Sequence, residues 1–412
     1  MATGDATVTT LSNILKTKYD QKKFYQFAYM KAPLIGRLRN DEKFGGNNAR
    51  ITVRYAVPQG GSCTFATAQG NKTTSSDVGF LLTRKKDYHL SGITGEGLDA
   101  GDGDENTIYN ALKGEMDGSL RNLTRSMAIQ GYRNGGGARA KGDGAYSVAA
   151  AVITIQTPAD ITNFEVQMFI QLGSTDGTSG SVRSAGGISH GELRITALNR
   201  IAGTITCSGN INTITSAANT DYIFRDGDFG ACGSGLLGWL PTTAPTGGDN
   251  WYGVDRSVDT VRLAGTTYAG NGGNKEETLI DAAALASREG GSIDSAFVNT
   301  LDRADLVKSL GTKAVYEPVK STDGVIGYKT LIIEGEDGPI KVFADVNCPR
   351  GNFFLLQEDT WVKKSAKAAP RYLKADGPEF LREASADGYE WRLGAYWNIG
   401  CEAPGFNASG TF

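Results

Sequence analysis

One long apolar stripe constrains the fold of this chain more than any other feature. Between residues 104 and 132, apolar side chains recur at spacings of three or four, at Ile108, Leu112, Met116, Leu120, Leu123 and Met127. That spacing is typical of one face of an amphipathic α-helix, and Asp104, Glu105 and Asn106 suit its first turn. The pattern predicts a single helix of about 27 residues, roughly 40 Å long at 1.5 Å per residue.

A pair of extended segments precedes this helix. Residues 49–57 alternate in the manner of a half-buried strand, and residues 78–90 form a second extended run. The stretch between them, residues 58–77, is rich in Gly, Ser, Thr and Asn and is too polar to pack a core. The sequence therefore predicts a long two-stranded excursion whose tip projects away from its own subunit.

Short β-runs dominate the rest of the chain. Those between residues 145 and 232 predict a small barrel or sandwich inserted into the host domain: Val148–Gln156, Val166–Leu172, Glu192–Leu198, Thr204–Ser208 and Asp221–Arg225. An α/β segment follows, with helices over 276–288 and 302–310, strands at 296–299, 329–334, 340–345 and 353–356, and a last strand pair at 389–393 and 396–399. The fold class is therefore α+β.

The composition argues against most enzymatic chemistry. The chain has 412 residues, a formal net charge of −3 and two histidines, His89 and His190, which leaves little imidazole for acid–base or metal chemistry. Its five cysteines are scattered without a C-x-x-C pair, so we expect reduced and mostly buried thiols. No run of about 18 apolar residues occurs. We expect a soluble, cytoplasmically folded protein with no catalytic site, cofactor, metal or membrane contact.

Two short motifs resemble functional sites but fail on their context. An acidic run that begins at Asp99 resembles a calcium loop, yet Thr107 and Lys113 stand where that loop needs Gly and Glu. Residues 187–191 read G-x-S-x-G around Ser189, but a nucleophile elbow needs a strand before it and a helix after it. A Gly/Ser loop and a strand-like run stand there instead. A helix cap and a β-turn explain the two motifs better.

Two basic stretches are candidates for contact with nucleic acid or with acidic neighbours. The first lies in the N-terminal arm and includes Lys16, Lys18, Lys22 and Lys23. It is either a solvated helix face, which we favour, or an arm that faces nucleic acid or an acidic neighbour. The second runs from Lys363 to Lys374 without an acid. We interpret it as a solvated loop in preference to a phosphate-facing patch or a subunit contact.

The order of these elements and several local stretches carry a resemblance to a known family. The stretches are the hairpin residues 85–98, the long helix 104–132, the Phe-Val-Asn run and helix over 297–310, and the strands around 334–349. Together they resemble the Hong Kong 97-type major capsid fold of tailed phages, over nearly the whole chain. The resemblance implies a subunit that assembles as hexamers and pentamers into an icosahedral shell around double-stranded DNA, in the virion.

The resemblance also implies a division of the chain into named regions. These are an N-arm (1–45), an extended E-loop hairpin (46–95), the spine helix of a peripheral domain (96–144), an inserted β domain (145–232), connecting loops (233–269), an axial domain (270–375) and C-terminal strands of the peripheral domain (376–412). The β insertion is not part of the minimal fold, and no long cleavable N-terminal region is evident. A separate scaffolding protein is therefore implied.

Partners and contact residues follow from the same likeness. The chain itself, the scaffolding protein, a portal protein, packaged DNA in weak non-specific contact and a decoration protein are the expected partners. The basic residues of the hairpin region are candidates for contact between subunits: Arg50, Arg54, Lys72, Arg84, Lys85 and Lys86. The four arm lysines, 16, 18, 22 and 23, are candidates for facing DNA.

Two other functions compete with this interpretation. The Gly/Thr/Ser-rich β-runs suggest a viral or bacterial adhesin or a carbohydrate-binding protein, but the long helix and the α/β segment at 276–310 argue against it. A secreted hydrolase that uses Ser189 is disfavoured by the scarcity of histidine. Closed shells in a micrograph would distinguish a capsid subunit from both.

Overall fold

The computed structural model describes most of the chain beyond residue 31. The described residues are 32–96, 105–183, 193–310, 316–317, 330–336, 338–373, 381–383 and 386–412. The arm lysines 16, 18, 22 and 23 lie outside them, as do Ser189, His190 and the acidic run from Asp99 to Asp104. Three large sheets, one projecting hairpin and one long helix are the main parts of the described chain.

The predicted amphipathic helix is present. The helices of the described residues are α1 (Pro33–Arg37), α2 (Phe65–Gly70), α3 (Glu105–Gln130), α4 (Leu236–Trp239), α5 (Lys275–Arg288) and α6 (Thr300–Leu310). α3 confirms the prediction for residues 104–132. Its buried Leu123 and partly buried Leu120 pack with Trp391 and Leu393. The apolar stripe therefore fixes this helix against a sheet.

That sheet has six strands. They are β1 (Arg39–Asp41), β4 (Lys85–Thr94), β19 (Trp361–Ser365), β20 (Arg371–Tyr372), β21 (Leu381–Arg382) and β22 (Gly388–Cys401). β22 is central, because β4 pairs along one edge over residues 388–397 while β19, β20 and β21 pair along the other. One face of the sheet is covered by α3.

β22 corrects the prediction of two separate strands at 389–393 and 396–399. The chain stays extended through Gly394 and Ala395, and a single strand of 14 residues results. A Cβ on Gly394 would lie 3.0 Å from the side chain of Leu373, so the glycine makes room for a packed neighbour. The glycine between the two predicted strands therefore serves packing and does not end the strand.

A second sheet of seven strands carries α5 and α6. Its order is β13 (Thr266–Ala269), β23 (Ala408–Thr411), β18 (Asn352–Leu356), β14 (Ser295–Val298), β17 (Gly338–Ala344), β16 (Thr330–Gly335) and β15 (Tyr316–Glu317). Leu279 of α5 and Leu306 of α6 are buried in its core together with Val298. The strands and helices predicted between residues 276 and 356 match these elements closely.

A third sheet of six strands lies between α3 and α4 in the chain. Its order is β5 (Ala138–Lys141), β10 (Tyr222–Arg225), β7 (Phe169–Gly173), β8 (Leu193–Asn199), β9 (Thr204–Cys207) and β6 (Val152–Thr154). An isolated backbone bridge joins Gly142 to Ile155, so the first and last strands of this order also meet. The sheet has a core of its own, with Ile153, Ile195 and Ile205 fully buried. We call residues 138–225 the inserted sheet.

The predicted excursion is a two-stranded antiparallel hairpin. Its strands are β2 (Asn48–Ala56) and β3 (Ser76–Thr83); we call residues 48–83 the projecting hairpin. The single extended run predicted at 78–90 is instead two strands, because β3 ends at Thr83 and β4 begins at Lys85 in another sheet. A further small ladder joins β11 (Asn250–Trp251) to β12 (Val254–Asp255).

Candidate assembly surface

The projecting hairpin is buried at its base and exposed along its distal part. Ile51, Val53, Phe80 and Leu82 are buried in the main core, where the ring of Phe80 meets that of Trp239 edge-on at 5.1 Å between centroids. None of residues 54–79 is buried. The base is therefore held by apolar packing, whereas the distal part is supported only by the partly buried Tyr55 and Val78 and by a hydrogen bond from Arg262 to the carbonyl of Tyr55.

The tip of the hairpin carries apolar side chains that the sequence analysis missed. Helix α2 lies at the tip, where the side chain of Phe65 is 84% exposed and that of Val57 is 56% exposed. An exposed aromatic side chain at the end of a projection can bind a partner's pocket. The signal was present in the sequence as a single Phe in a polar run, but composition outweighed it.

Charged residues of the hairpin are arranged in different ways. Arg54 forms a two-bond ion pair with Asp77 across the strands, at 2.7 and 3.1 Å, and this hydrogen bonding lowers the pKa of Asp77. Arg50 lies across Gly79, where a Cβ would come within 2.2 Å of its Nε atom. Lys72 is exposed near the tip. Arg50 leaves positive charge near the base of the hairpin, and Lys72 leaves positive charge near its tip.

The other three predicted contact residues belong elsewhere. Arg84 lies at the junction and donates a hydrogen bond to the carbonyl of Phe44 at 3.4 Å. Lys85 donates from Nζ to the carbonyl of Gly230 at 3.1 Å, and Lys86 is exposed opposite Tyr396. Arg50, Arg54 and Lys72 therefore lie on the hairpin. Lys85 and Lys86 lie on β4, in the sheet around β22. The six residues are not one cluster.

The sheet that contains β4 and β22 presents an aromatic and basic surface on the face opposite α3. Tyr88 and Leu90 of β4 are 45% and 56% exposed, and the rings of Tyr88 and Tyr396 meet edge-on at 5.8 Å. The guanidinium of Arg371 lies 5.9 Å from the centroid of Tyr396. Register places Lys86 on the same face. This second exposed surface was not predicted.

The basic run from Lys363 to Lys374 begins in a strand, which corrects the prediction of a solvated loop for its first two lysines, whereas Lys367 is exposed between β19 and β20. Lys363 and Lys364 lie on β19, where Lys363 is buried and burial lowers the pKa of its ammonium group. Lys364 forms an ion pair with Asp41 at 2.7 Å. Because β19 is buried along nearly its whole length, its two lysines misled a prediction made from residue type. Lys374 lies outside the described residues.

The described ranges contain no group of three His, Cys, Asp or Glu side chains that could hold a metal ion, and no helix there is long and apolar enough to cross a membrane. Four cysteines, 207, 232, 348 and 401, are free and buried, while Cys63 is free and exposed. The expectation that most of the thiols are buried is confirmed.

One cavity of about 310 Å³ lies where α3 gives way to the inserted sheet. Its lining includes Arg133, Lys141, Asp160, Asp176 and Tyr222. Two of these are already paired, because Arg133 donates to Asp160 at 2.8 Å. Burial lowers the pKa of His89, the histidine within the described residues, but His89 lies on β4 and not in this cavity.

Comparison with known proteins identifies the fold. No family model matches the chain, and no curated protein sequence does. A chain from the cyanophage A-1(L) capsid asymmetric unit matches with a TM-score of 0.52 and 12% identity, over 96% of this chain and 95% of that one. A chain from the capsid of the native GTA particle matches with a TM-score of 0.50 and 8% identity, over 96% and 95%. The chain therefore has the fold of these phage and GTA capsid proteins.

Proposed function

We propose that this chain is the major capsid protein of a tailed double-stranded DNA virus. The observation that carries the proposal is the likeness to capsid chains along the full length of both molecules, 96% of this one and 95% of each of those. A partial match would indicate a shared domain, whereas a full-length match indicates the same overall subunit plan. The role is structural, through assembly as hexamers and pentamers into an icosahedral shell that encloses DNA.

The projecting hairpin is the contact that joins neighbouring subunits in this proposal. Its distal part lacks a core of its own, and its tip exposes Phe65. Docking on an adjacent copy would bury Phe65 and bring Arg50 and Lys72 near that copy's acids. Each exposed ion pair contributes only about 0.2 to 1 kcal/mol, but the contact repeats around a shell and its effects accumulate.

The same proposal assigns the remaining regions and partners. Residues 46–95 are the E-loop, 96–144 the spine and 270–375 the axial domain, with residues 376–412 completing the peripheral domain and 145–232 forming an inserted barrel. The arm lysines face DNA. A scaffolding protein and a portal protein act during assembly in the host cytoplasm, and a decoration protein binds the finished shell. Two observations support this division: the projecting hairpin is exposed along its distal part, and the inserted sheet and the seven-stranded sheet each have a core of their own.

A deletion in the hairpin tests the proposal. Replacing residues 57–75 by Asn-Gly closes β2 and β3 with a two-residue turn and removes no buried side chain. The variant should fold as the parent does by circular dichroism, yet form no shells when expressed with its scaffolding partner, as judged by negative-stain images and native mass. The parent chain should form closed shells under the same conditions.

A point variant with a matched control refines that test. Phe65→Ser should reduce the yield of shells, whereas Ile201→Ser should not. Ile201 is 94% exposed on the inserted sheet and controls for the loss of an exposed apolar side chain. Absence of shells from the parent chain would refute the capsid role, while normal shells from the deletion variant would refute only the role of the hairpin.

A further inference from the structure

The inserted sheet is connected to the rest of the chain through glycine-rich segments. Gly136 and Gly137 follow α3, and Gly235 precedes α4. Such segments in a sequence usually indicate a hinge. Here a Cβ at each of the three would come within about 2.3 Å of a backbone atom of another segment. These glycines are therefore sites of close backbone packing.

An ion pair between a partly buried arginine and a buried aspartate connects the inserted sheet to the main body. Arg225, at the end of β10, donates to Asp87 of β4 at 2.8 Å and to Asp228 at 2.7 Å. Asp87 also accepts hydrogen bonds from Ser126 at 2.5 Å and Gln130 at 2.7 Å, both on α3. The carboxylate of Asp87 is thus shared by the sheet, the helix and the insertion.

The pairing continues into the first strand of the insertion. Asp228 accepts from Arg139 of β5 at 3.3 Å, and Arg139 donates to the carbonyl of Asn163 at 3.0 Å. Both members of this pair are buried. The strand that enters the inserted sheet and the segment that leaves it are therefore bound to one another and, through Arg225, to Asp87.

Two further ion pairs cross from the helix region to the insertion. Arg125 of α3 pairs with Glu165, which also pairs with Arg200 of the hairpin between β8 and β9. Arg133, just after α3, pairs with Asp160 at 2.8 Å. From Arg125 to Gln130 the attachments already cover roughly 7 to 8 Å of helix at 1.5 Å per residue. Separate attachments on separate segments resist rotation in a way that one attachment cannot.

We propose that the inserted sheet and α3 form one rigid body, locked by the ion pairs of Arg125, Arg133 and Arg225, so that the insertion moves only when the helix moves. A partner that holds the insertion then also holds the helix. This coupling is a property of the single subunit and does not depend on the proposed capsid role.

Distance measurements between spin labels test the coupling on the unassembled full chain. The parent carries Cys63→Ser, which removes the exposed thiol, with labels introduced by Asn122→Cys on α3 and Ala197→Cys on β8, both at exposed positions. We expect a narrow distance distribution. Arg225→Gln should broaden it by at least about twofold, because the central attachment is lost.

Arg183→Gln is the matched control. Arg183 forms a two-bond ion pair with Asp221, at 2.9 and 2.7 Å, entirely within the insertion, so its loss should leave the distribution narrow. A broad distance distribution in the parent would overturn the proposal. So would a distribution in Arg225→Gln that is no broader than that of the parent. If Arg225→Gln fails to fold, the double variant Asp87→Asn with Arg225→Gln removes both charges of the ion pair. It should show the same broadening. A narrow distance distribution in the double variant would also overturn the proposal.

Discussion

The projecting hairpin and the inserted sheet both extend from the same main body, but they are stabilised in opposite ways. The hairpin is attached by apolar side chains at its base, and its distal residues 54–79 include none that is buried. The inserted sheet has its own apolar core and is attached by ion pairs. The shape of the insertion is therefore fixed by its own subunit, whereas the distal hairpin depends on what it contacts.

Excision should produce the largest contrast between the two regions. A fragment of residues 138–232 should fold alone, because it contains all six strands of the inserted sheet and their core. A fragment of residues 145–232 should remain unfolded, since it lacks β5, which pairs with β10. A fragment of residues 48–83 should also be unfolded. Circular dichroism and amide exchange distinguish these outcomes, and a folded 145–232 fragment would show that β5 is dispensable.

Two phenylalanine substitutions sharpen the contrast between the base and the tip of the hairpin. Phe80→Ala should lower the free energy of unfolding by about 3 to 5 kcal/mol, because it leaves a cavity beside Trp239. Phe65→Ala should leave that free energy nearly unchanged, because the side chain already lies in water. Urea denaturation measures both. Similar losses from the two variants would mean that the tip is packed in the free subunit.

Acidification should change the stability of the main body through one buried carboxylate, Asp345. Burial raises the pKa of Asp345 from 3.8 to about 6, although Asn347 and Tyr132 donate hydrogen bonds to the carboxylate. The folded state therefore binds this proton more tightly than the unfolded state. The resulting stabilisation is fully present below pH 3.8 and is lost as the pH rises through 6.

The effect of Asp345 is measurable as a difference between two proteins. Lowering the pH from about 7 to about 5 should raise the free energy of unfolding by on the order of 1 kcal/mol more in the parent than in Asp345→Asn. Denaturation at the two pH values gives this difference. Parallel pH profiles would show that Asp345 titrates normally in the folded protein.

The smallest effect is expected at the ion pair of the hairpin. Arg54 and Asp77 are exposed to solvent, where water and salt weaken their attraction. Arg54→Ala should leave the melting temperature of the free subunit unchanged within error. A clear decrease in the melting temperature would mean that the distal hairpin is more ordered by its own contacts than we infer.

Periodic patterns in the sequence predicted many of the helices and strands. They did not predict which residues distant in sequence would contact one another. The apolar residues from Met116 to Leu123 identified α3 because they recur every third or fourth residue and meet the same neighbours. The break at Arg84 was missed because β3 and β4 are both extended and only their partners differ. Residue type alone gave no indication of which partner each strand would find.

The candidate site was predicted less well than the fold. Basic side chains near the hairpin were taken together because they are near in sequence, but Lys85 and Lys86 are in a different sheet from Arg50. The bond between Asp87 and Arg225 joins residues 138 positions apart, and no local pattern specifies such a pair. Phe65 is exposed because no neighbouring side chain of the described residues covers it. Which side chains lie near it is a property of the folded chain and cannot be predicted from a local pattern.

The last two strands have a consequence for the order in which the protein can form. β22 is the central strand of the six-stranded sheet, and β23 lies between β13 and β18 in the seven-stranded sheet. The sheet around β22 cannot be completed before residue 401 has left the ribosome, and the seven-stranded sheet cannot be completed before residue 411, whereas the inserted sheet needs nothing beyond residue 225. A nascent chain therefore carries a finished insertion and an unfinished main body until synthesis has passed both strands.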